Sequence, residues 1–211
     1  MAREKTAIFA RKTAEFLCGS ERKHSCVTSM RPPCIFSRGV VYYWRIEKDG
    51  DIVANAVKTN AVRLLTQAGI PLETFTYEVD ESDLSGVHIA SVLGIDADQV
   101  FKTLVARGDK TGIVVFCIPV AMELDLKKCA QVSGNKKVEM IHVKELLGLT
   151  GYIRGGCSPV GMKKAYPTFI DETATLYDEI YVSAGMRGQQ MKLSPTALAE
   201  YVGARFADVT L

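Results

Sequence analysis

Apolar residues first recur at helical spacing just after Lys58. Ala61, Val62, Leu64, Leu65 and Ala68 share one side of a helix that Thr59 can cap and that Gly69 and Pro71 stop. Phe75, Tyr77 and Val79 then alternate with polar residues, as on a half-buried strand. A second helix is predicted over residues 87–93, ended by Gly94. Residues 100–107 and 113–119 are strand-like runs separated by Gly108-Asp109-Lys110-Thr111-Gly112, a hairpin at the centre of a sheet. Residues 124–131 predict a helix stopped by Gly134, 137–141 a strand, and 143–147 a helix ending near Gly148. Two more strands fall at 168–171 and 179–183. Ser194-Pro195 starts a last helix, Gly203 ends it, and residues 204–209 follow as a strand. Helices and strands mix without steady βαβ alternation. The pattern therefore predicts a compact α/β domain on a curved, mixed, largely antiparallel sheet rather than a doubly wound parallel one.

Residues 1–56 show no sustained period of 3.6 or 2. The first 17 residues could form a short basic amphipathic helix, but a Pro32-Pro33 pair and the aromatic cluster from Val40 to Trp44 follow. This segment is expected to be a poorly ordered extension, or the product of a start codon placed too far upstream. A secretory signal needs an uninterrupted apolar stretch, and a mitochondrial presequence is poor in acids, whereas this start carries Glu4, Glu15 and Glu21. A cytoplasmic protein is the expectation.

The chain of 211 residues with 47% hydrophobic and 24% charged residues has material for one core, in a domain spanning residues 57–211. Its longest apolar run, residues 112–122, is interrupted by Pro119, whereas a membrane-spanning helix needs about 20 apolar residues. No membrane partner is expected. The net charge of +2 hides an asymmetry: residues 1–56 hold 10 of the 26 Lys+Arg and 6 of the 24 Asp+Glu, so the larger part is slightly acidic. A nucleic acid bound there must meet a local basic patch. Three pairs, Lys127-Lys128, Lys136-Lys137 and Lys163-Lys164, could build one if they shared a face, or could be plain solvation. The six cysteines include no C-x-x-C pair, so neither a zinc site nor a disulfide framework gains support.

Candidate chemistry concentrates in TGYIRGGCSPVGMKK, residues 150–164. Gly155-Gly156 either forms a turn between strands or lets backbone N–H groups approach a carbonyl or phosphate oxygen. Lys102 shares a strand face with Val100, Leu104 and Ala106, and either faces solvent or lines a pocket suited to a phosphate or carboxylate. There is no G-x-x-x-x-G-K-[ST], G-x-S-x-G or H-E-x-x-H, and only His24, His88 and His142 could act as bases. A Ser-His-Asp hydrolase is thereby disfavoured; a thiol nucleophile at Cys157, paired with His142, remains a separate alternative.

In order along residues 57–211, the segments KTNAVRLL, TYEVDESDLSG, VFKTLVARGDKTG, LDLKKCA, KKVEM, TGYIRGGCSPVGMKK, TFIDETA and IYVSAGMRG resemble the YbaK/prolyl-tRNA-synthetase-associated editing domain. The likeness is strongest to its free-standing Cys-tRNA(Pro)/Cys-tRNA(Cys) deacylase branch. The resemblance implies a barrel-like curved sheet with flanking helices, and hydrolysis of the ester joining a wrong amino acid to the tRNA 3′ end. It also implies that Lys102 holds the terminal adenosine and its phosphate, that Tyr77 shapes the pocket, and that Gly155 and Gly156 set the carbonyl against backbone N–H groups. Ser158, Asp171 and Ser183 would lie in or beside the site, with Thr103, Arg154 and Lys163 as further substrate contacts. The resemblance implies no metal, no cofactor and no protein nucleophile, catalysis being assisted by the substrate's own thiol or a ribose hydroxyl. Aminoacyl-tRNA is the implied ligand, and prolyl-tRNA synthetase a transient partner.

Two positions depart from the pattern. Met186 stands where many members carry Lys, and Gln189-Gln190 stand where some place an acid, so no catalytic carboxylate is assigned there. An aminoacyl ester is already activated, so orienting it and stabilising an oxyanion supplies much of the acceleration without a strong base. The rival expectation is a non-catalytic module that binds tRNA or a synthetase through the same face.

Overall fold

The computed structural model describes residues 58–211 throughout and, before them, the backbone of three short strands. These are β1 (Ile35–Ser37), β2 (Val40–Ile46) and β3 (Ile52–Asn55), an antiparallel sheet in which Trp44 lies opposite Ala54. Periodicity predicts no strand here, since the run from Val40 to Trp44 is continuously apolar; β-branched and aromatic residues favour extended backbone all the same. The rest of the 1–56 segment, and with it the expectation of poor order or a misplaced start, lies outside the described residues.

Helix α1 (Asn60–Gln67) begins where Thr59 Oγ1 accepts the Val62 N–H at 3.2 Å, and it buries Ala61, Val62 and Leu65. Strand β4 (Glu73–Thr76) ends earlier than the alternation to Val79 predicts. The register with β10 closes at Tyr77, whose N–H donates to the Gly188 carbonyl at 3.0 Å. Helix α2 (Gly86–Leu93), capped by Ser85, leads into the long hairpin of β5 (Val100–Gly108) and β6 (Gly112–Pro119). Asp125 caps α3 (Leu126–Val132), and β7 (Val138–Met140) follows. Helix α4 (Val143–Thr150) runs through Gly148 and stops at Gly151, which adopts φ 86°. A glycine inside a helix costs only about 1 kcal/mol, whereas a left-handed residue ends it.

The remaining elements are β8 (Thr168–Asp171), β9 (Ile180–Ser183), β10 (Gln189–Leu193), α5 (Pro195–Val202) and β11 (Arg205–Ala207). Strand β10 is absent from the periodicity reading, because Gln189, Gln190 and Lys192 outnumber the apolar Met191 and Leu193.

The main sheet runs β11-β8-β6-β5-β9-β10-β4, with β7 alongside β5. It is mixed: β5 with β9, β6 with β8 and β8 with β11 are parallel, and the other pairs antiparallel. One face packs Phe101, Cys117, Ile170, Val182, Met191 and Leu193 against α1 and α5. The other packs Ala106, Val114, Phe116, Ile118 and Phe169 against α3. The alternation of strand side chains thus divides one hairpin between two cores.

The sheet is split at its centre. β6 pairs with β5 along residues 101–108. On the opposite edge β9 reaches only Val100 and Phe101, and β7 only residues 106–108. Residues 102–104 therefore have a strand on one side and, among the described residues, none on the other.

Candidate active site

A cleft of about 360 Å³ opens at this split. Because it meets a strand edge, it takes side chains from both faces of β5, and Lys102 and Thr103 line it together. Ser183 from β9, Gln190 from β10 and Arg154, Gly155 and Cys157 from the loop after α4 close it, with Ile89, Val120 and Leu146 as apolar walls.

Lys102 is half-buried and points into the cleft rather than to bulk solvent. Its Nζ donates to the Val120 carbonyl at 3.1 Å. Desolvation pulls its pKa below the ordinary lysine value, and the Glu123 carboxylate partly opposes this. With one bond and no paired carboxylate among the described residues, the ammonium group keeps donors for an anionic ligand.

The two glycines are held by different constraints. Gly155 has φ 82° and lines the cleft, and its N–H has no acceptor among the described residues. Gly156 is buried against the β9–β10 turn, where a Cβ would come within 3.0 Å of the Arg187 nitrogen and the Met186 carbonyl carbon. Its N–H is already spent on the Ile153 carbonyl at 3.0 Å. Of the expected pair, Gly155 alone lines the cleft and has an N–H without a partner among the described residues.

Arg187 fastens this loop. Its Nε donates to the Arg154 carbonyl at 2.9 Å, and its guanidinium pairs with Glu81 at 2.7 Å. One side chain thus ties the segment after β4, the glycine loop and the β9–β10 turn together.

Other residues expected in the site lie outside the cleft lining. Ser158 is buried, and its Oγ accepts the Val160 N–H at 3.3 Å. Asp171 is 1% exposed, its carboxylate accepting from Thr173 and from the Val209 N–H. Lys163 donates to the Leu147 and Gly148 carbonyls at the end of α4. Tyr77 is partly buried where β4 leaves the sheet. The geometry gives these groups work within the fold.

One lysine of each of the three pairs is held by a neighbour in the fold. Lys128 pairs with Asp208, Lys137 with Glu139, and Lys163 is held at α4. Cys157 reaches the cleft, but burial pushes its thiol up to about 12. It is therefore protonated at neutral pH and a poor nucleophile. His142 serves as the N-cap of α4.

Arg187 could be read from the sequence only as one of the basic residues near the lysine pairs, and Gln190 carried no assigned role. Gln190 sits at 5% exposure with its Oε1 unpartnered. The only trace of it in the sequence is a two-step alternation of Met191 and Leu193 that places Gln190 on the opposite face.

Among the described residues no helix is long and apolar enough to cross a membrane. This fold, a mixed eight-stranded sheet with flanking helices, is shared by the YbaK-type editing domains. A model of the aminoacyl-tRNA editing domain matches residues 86–201, and the chain belongs to that family. It is 51% identical over 153 residues, 72% of this chain and 93% of the relative, to the Enterococcus faecalis protein named "Putative Cys-tRNA(Pro)/Cys-tRNA(Cys) deacylase EbsC". A Bacillus subtilis protein named YwhH is 24% identical over 59% of this chain and 78% of its own length. Among solved structures, a "putative trans-editing enzyme for prolyl tRNA synthetase" aligns at TM-score 0.62 and 26% identity, covering 72% of this chain and 92% of that one. The hypothetical protein APE2540 shares the fold at TM-score 0.65 and 23% identity, over 71% of this chain and 97% of its own.

Proposed function

We propose that this protein is a trans-acting editing deacylase that hydrolyses the ester of mischarged tRNA, with Cys-tRNA(Pro) as its main substrate and Cys-tRNA(Cys) as a second. The observation that carries the reading is that Lys102 and Gly155, whose N–H has no partner among the described residues, line one cleft. Such a site fits an ester that joins an anionic nucleotide to a carbonyl carbon. Lys102 takes the phosphate of the terminal adenosine, with Arg154 at the rim and Thr103 and Ser183 lining the pocket. Gly155 N–H stabilises the oxyanion as water adds to the carbonyl. The bond from that carbon to the ribose oxygen then breaks, and the leaving oxygen takes a proton.

The substrate's own thiol or a neighbouring ribose hydroxyl assists, which agrees with a cleft whose single thiol, Cys157, stays protonated. Gly156, Ser158, Asp171, Tyr77 and Lys163 support the walls. Prolyl-tRNA synthetase is the proposed transient partner, supplying the tRNA selectivity that so small a cleft lacks.

The test is release of cysteine from Cys-tRNA(Pro) and of alanine from Ala-tRNA(Pro) under multiple turnover. Wild type is expected to release cysteine faster, Lys102→Ala to lose roughly 100-fold or more, and Cys157→Ala to stay within about twofold of wild type. Tight tRNA binding without release would favour a non-catalytic module, and loss of activity in Cys157→Ala would favour a thiol enzyme.

A further inference from the structure

The gap in the sheet leaves one residue of β5 with its main chain unpaired. Along an antiparallel pair, residues that exchange both N–H···O bonds with the partner alternate with residues whose N–H and C=O aim away from it. The Val120 N–H donates to the Val100 carbonyl at 2.8 Å, so Val100 is of the first kind, and Lys102 and Leu104 follow it in facing β6. Phe101, Thr103 and Val105 aim at the other edge. There Phe101 meets β9, and the Val105 carbonyl accepts the Ile141 N–H at 3.3 Å. Thr103 falls between them, and neither its N–H nor its C=O has a partner among the described residues.

The cleft reaches these two groups. Every residue from Val100 to Val105 lines it, although their side chains alternate between the faces of the sheet, so the cleft runs along the strand's edge, where main-chain groups point. Thr103 is partly exposed, and its hydroxyl is turned to Cys117 Sγ on β6 at 3.7 Å. The main chain is therefore what Thr103 offers at the opening.

A strand edge with one donor and one acceptor fits a ligand that carries the complementary pair at the spacing of one residue. An aminoacyl ester has that unit: its N–Cα–C=O is a single amino-acid residue, with the ammonium group as donor and the ester carbonyl oxygen as acceptor. We infer that Thr103 binds the α-aminoacyl unit of the substrate by its main chain, its C=O accepting from the α-ammonium group and its N–H donating to the ester carbonyl oxygen. The aminoacyl group thereby takes the place of the residue missing between β9 and β7. The inference rests on the deacylase reading of this cleft.

The ester carbonyl oxygen has two lone pairs, so it accepts from the Thr103 and Gly155 N–H groups together, a second donor where Gly156 supplies none. Residues paired across strands put their side chains on one face. The aminoacyl side chain accordingly lies on the face of Thr103, where Cys157 packs with Val105 at the cleft wall, and not on that of Lys102. Adenine also carries a donor beside an acceptor, but the charged ammonium group is the stronger partner for a carbonyl.

The experiment is amide hydrogen exchange by NMR on the full-length protein, alone and with 3′-cysteinylamino-3′-deoxyadenosine, in which an amide that resists hydrolysis replaces the ester. In the free protein the Thr103 amide is expected to exchange at least about 100-fold faster than those of Lys102 and Leu104, which β6 protects. The probe is expected to slow Thr103 exchange roughly tenfold or more and to move its proton resonance downfield. Replacing cysteinyl by 3-mercaptopropionyl, which lacks the amine, is expected to weaken binding about tenfold. A Thr103 amide as protected as its neighbours in the free protein would overturn the inference, as would one left unprotected while the probe shifts the Gly155 amide. A probe that leaves every cleft amide unmoved overturns it too. Equal protection by adenosine alone would give the edge to the base, and equal affinity without the amine would remove the ammonium contact; either result sinks the inference. If the wild type releases no cysteine from Cys-tRNA(Pro), the deacylase reading falls, and Thr103 exchange with the probe still decides the contact.

Discussion

Lys102, half-buried at the cleft, carries a desolvation cost. Desolvation lowers its pKa from 10.5, so the native state holds the proton less well than the unfolded chain does. For a lysine depressed in this way, the associated stability is fully present only above the unfolded value and is lost as pH falls through the native one. At neutral pH the charged side chain therefore opposes folding slightly. Lys102→Met is expected to abolish deacylation while raising Tm by no more than about 3 °C, a gain of less than about 1 kcal/mol because the side chain is only half-buried. Circular dichroism melts at pH 7 and at pH 10 check this, the difference between variant and wild type shrinking at the higher pH. A Tm that falls instead would mean that the Val120 contact outweighs the desolvation.

Among the elements, the glycine loop depends most on a side chain distant in sequence. Arg187 holds the Arg154 carbonyl and pairs with Glu81, and the glycine loop packs against its backbone. Arg187→Ala is expected to lower kcat about tenfold with little change in KM, and to cost about 1 kcal/mol in stability. Glu81→Gln removes only an exposed pair, worth at most about 1 kcal/mol. Urea unfolding and single-turnover kinetics separate the two effects, and a change confined to KM would assign Arg187 to substrate binding instead.

The same elements explain which parts of the structure were legible in the sequence. Helices α1 and α5 announce themselves through Thr59 and Ser194 at their starts and Gly69 and Gly203 beyond their ends. The β5–β6 hairpin does so through a turn-rich loop between two apolar runs. Strand β10 does not, because the polar Gln190 points into a cleft formed by residues far away in the chain. Lys102 was readable as a pocket or surface residue, and the gap between β9 and β7 decides for the pocket. Ser158, Asp171 and Lys163 were placed by resemblance, yet their hydrogen bonds serve turns and helix ends, which no local pattern distinguishes from catalysis.

For the whole molecule, the described cores lie between Ala61 and Val209, and the editing-domain match lies within the same span. A chain beginning at Lys58 is therefore expected to fold and to release cysteine within about threefold of the full-length rate. Equilibrium unfolding and the deacylation assay on both lengths check this, and a shorter chain that folds but fails to act would assign residues 1–57 a part in binding tRNA.

The interruption in the sheet has a consequence for inheritance. Along residues 102–104 the main chain itself forms one wall of the cleft, where no strand covers it. Almost every amino acid carries the same amide and carbonyl, so a change of codon alters what decorates this wall without removing the wall. An exchange of Gln190 would change what lines the cleft, while the open seam would stay as a property of chain path.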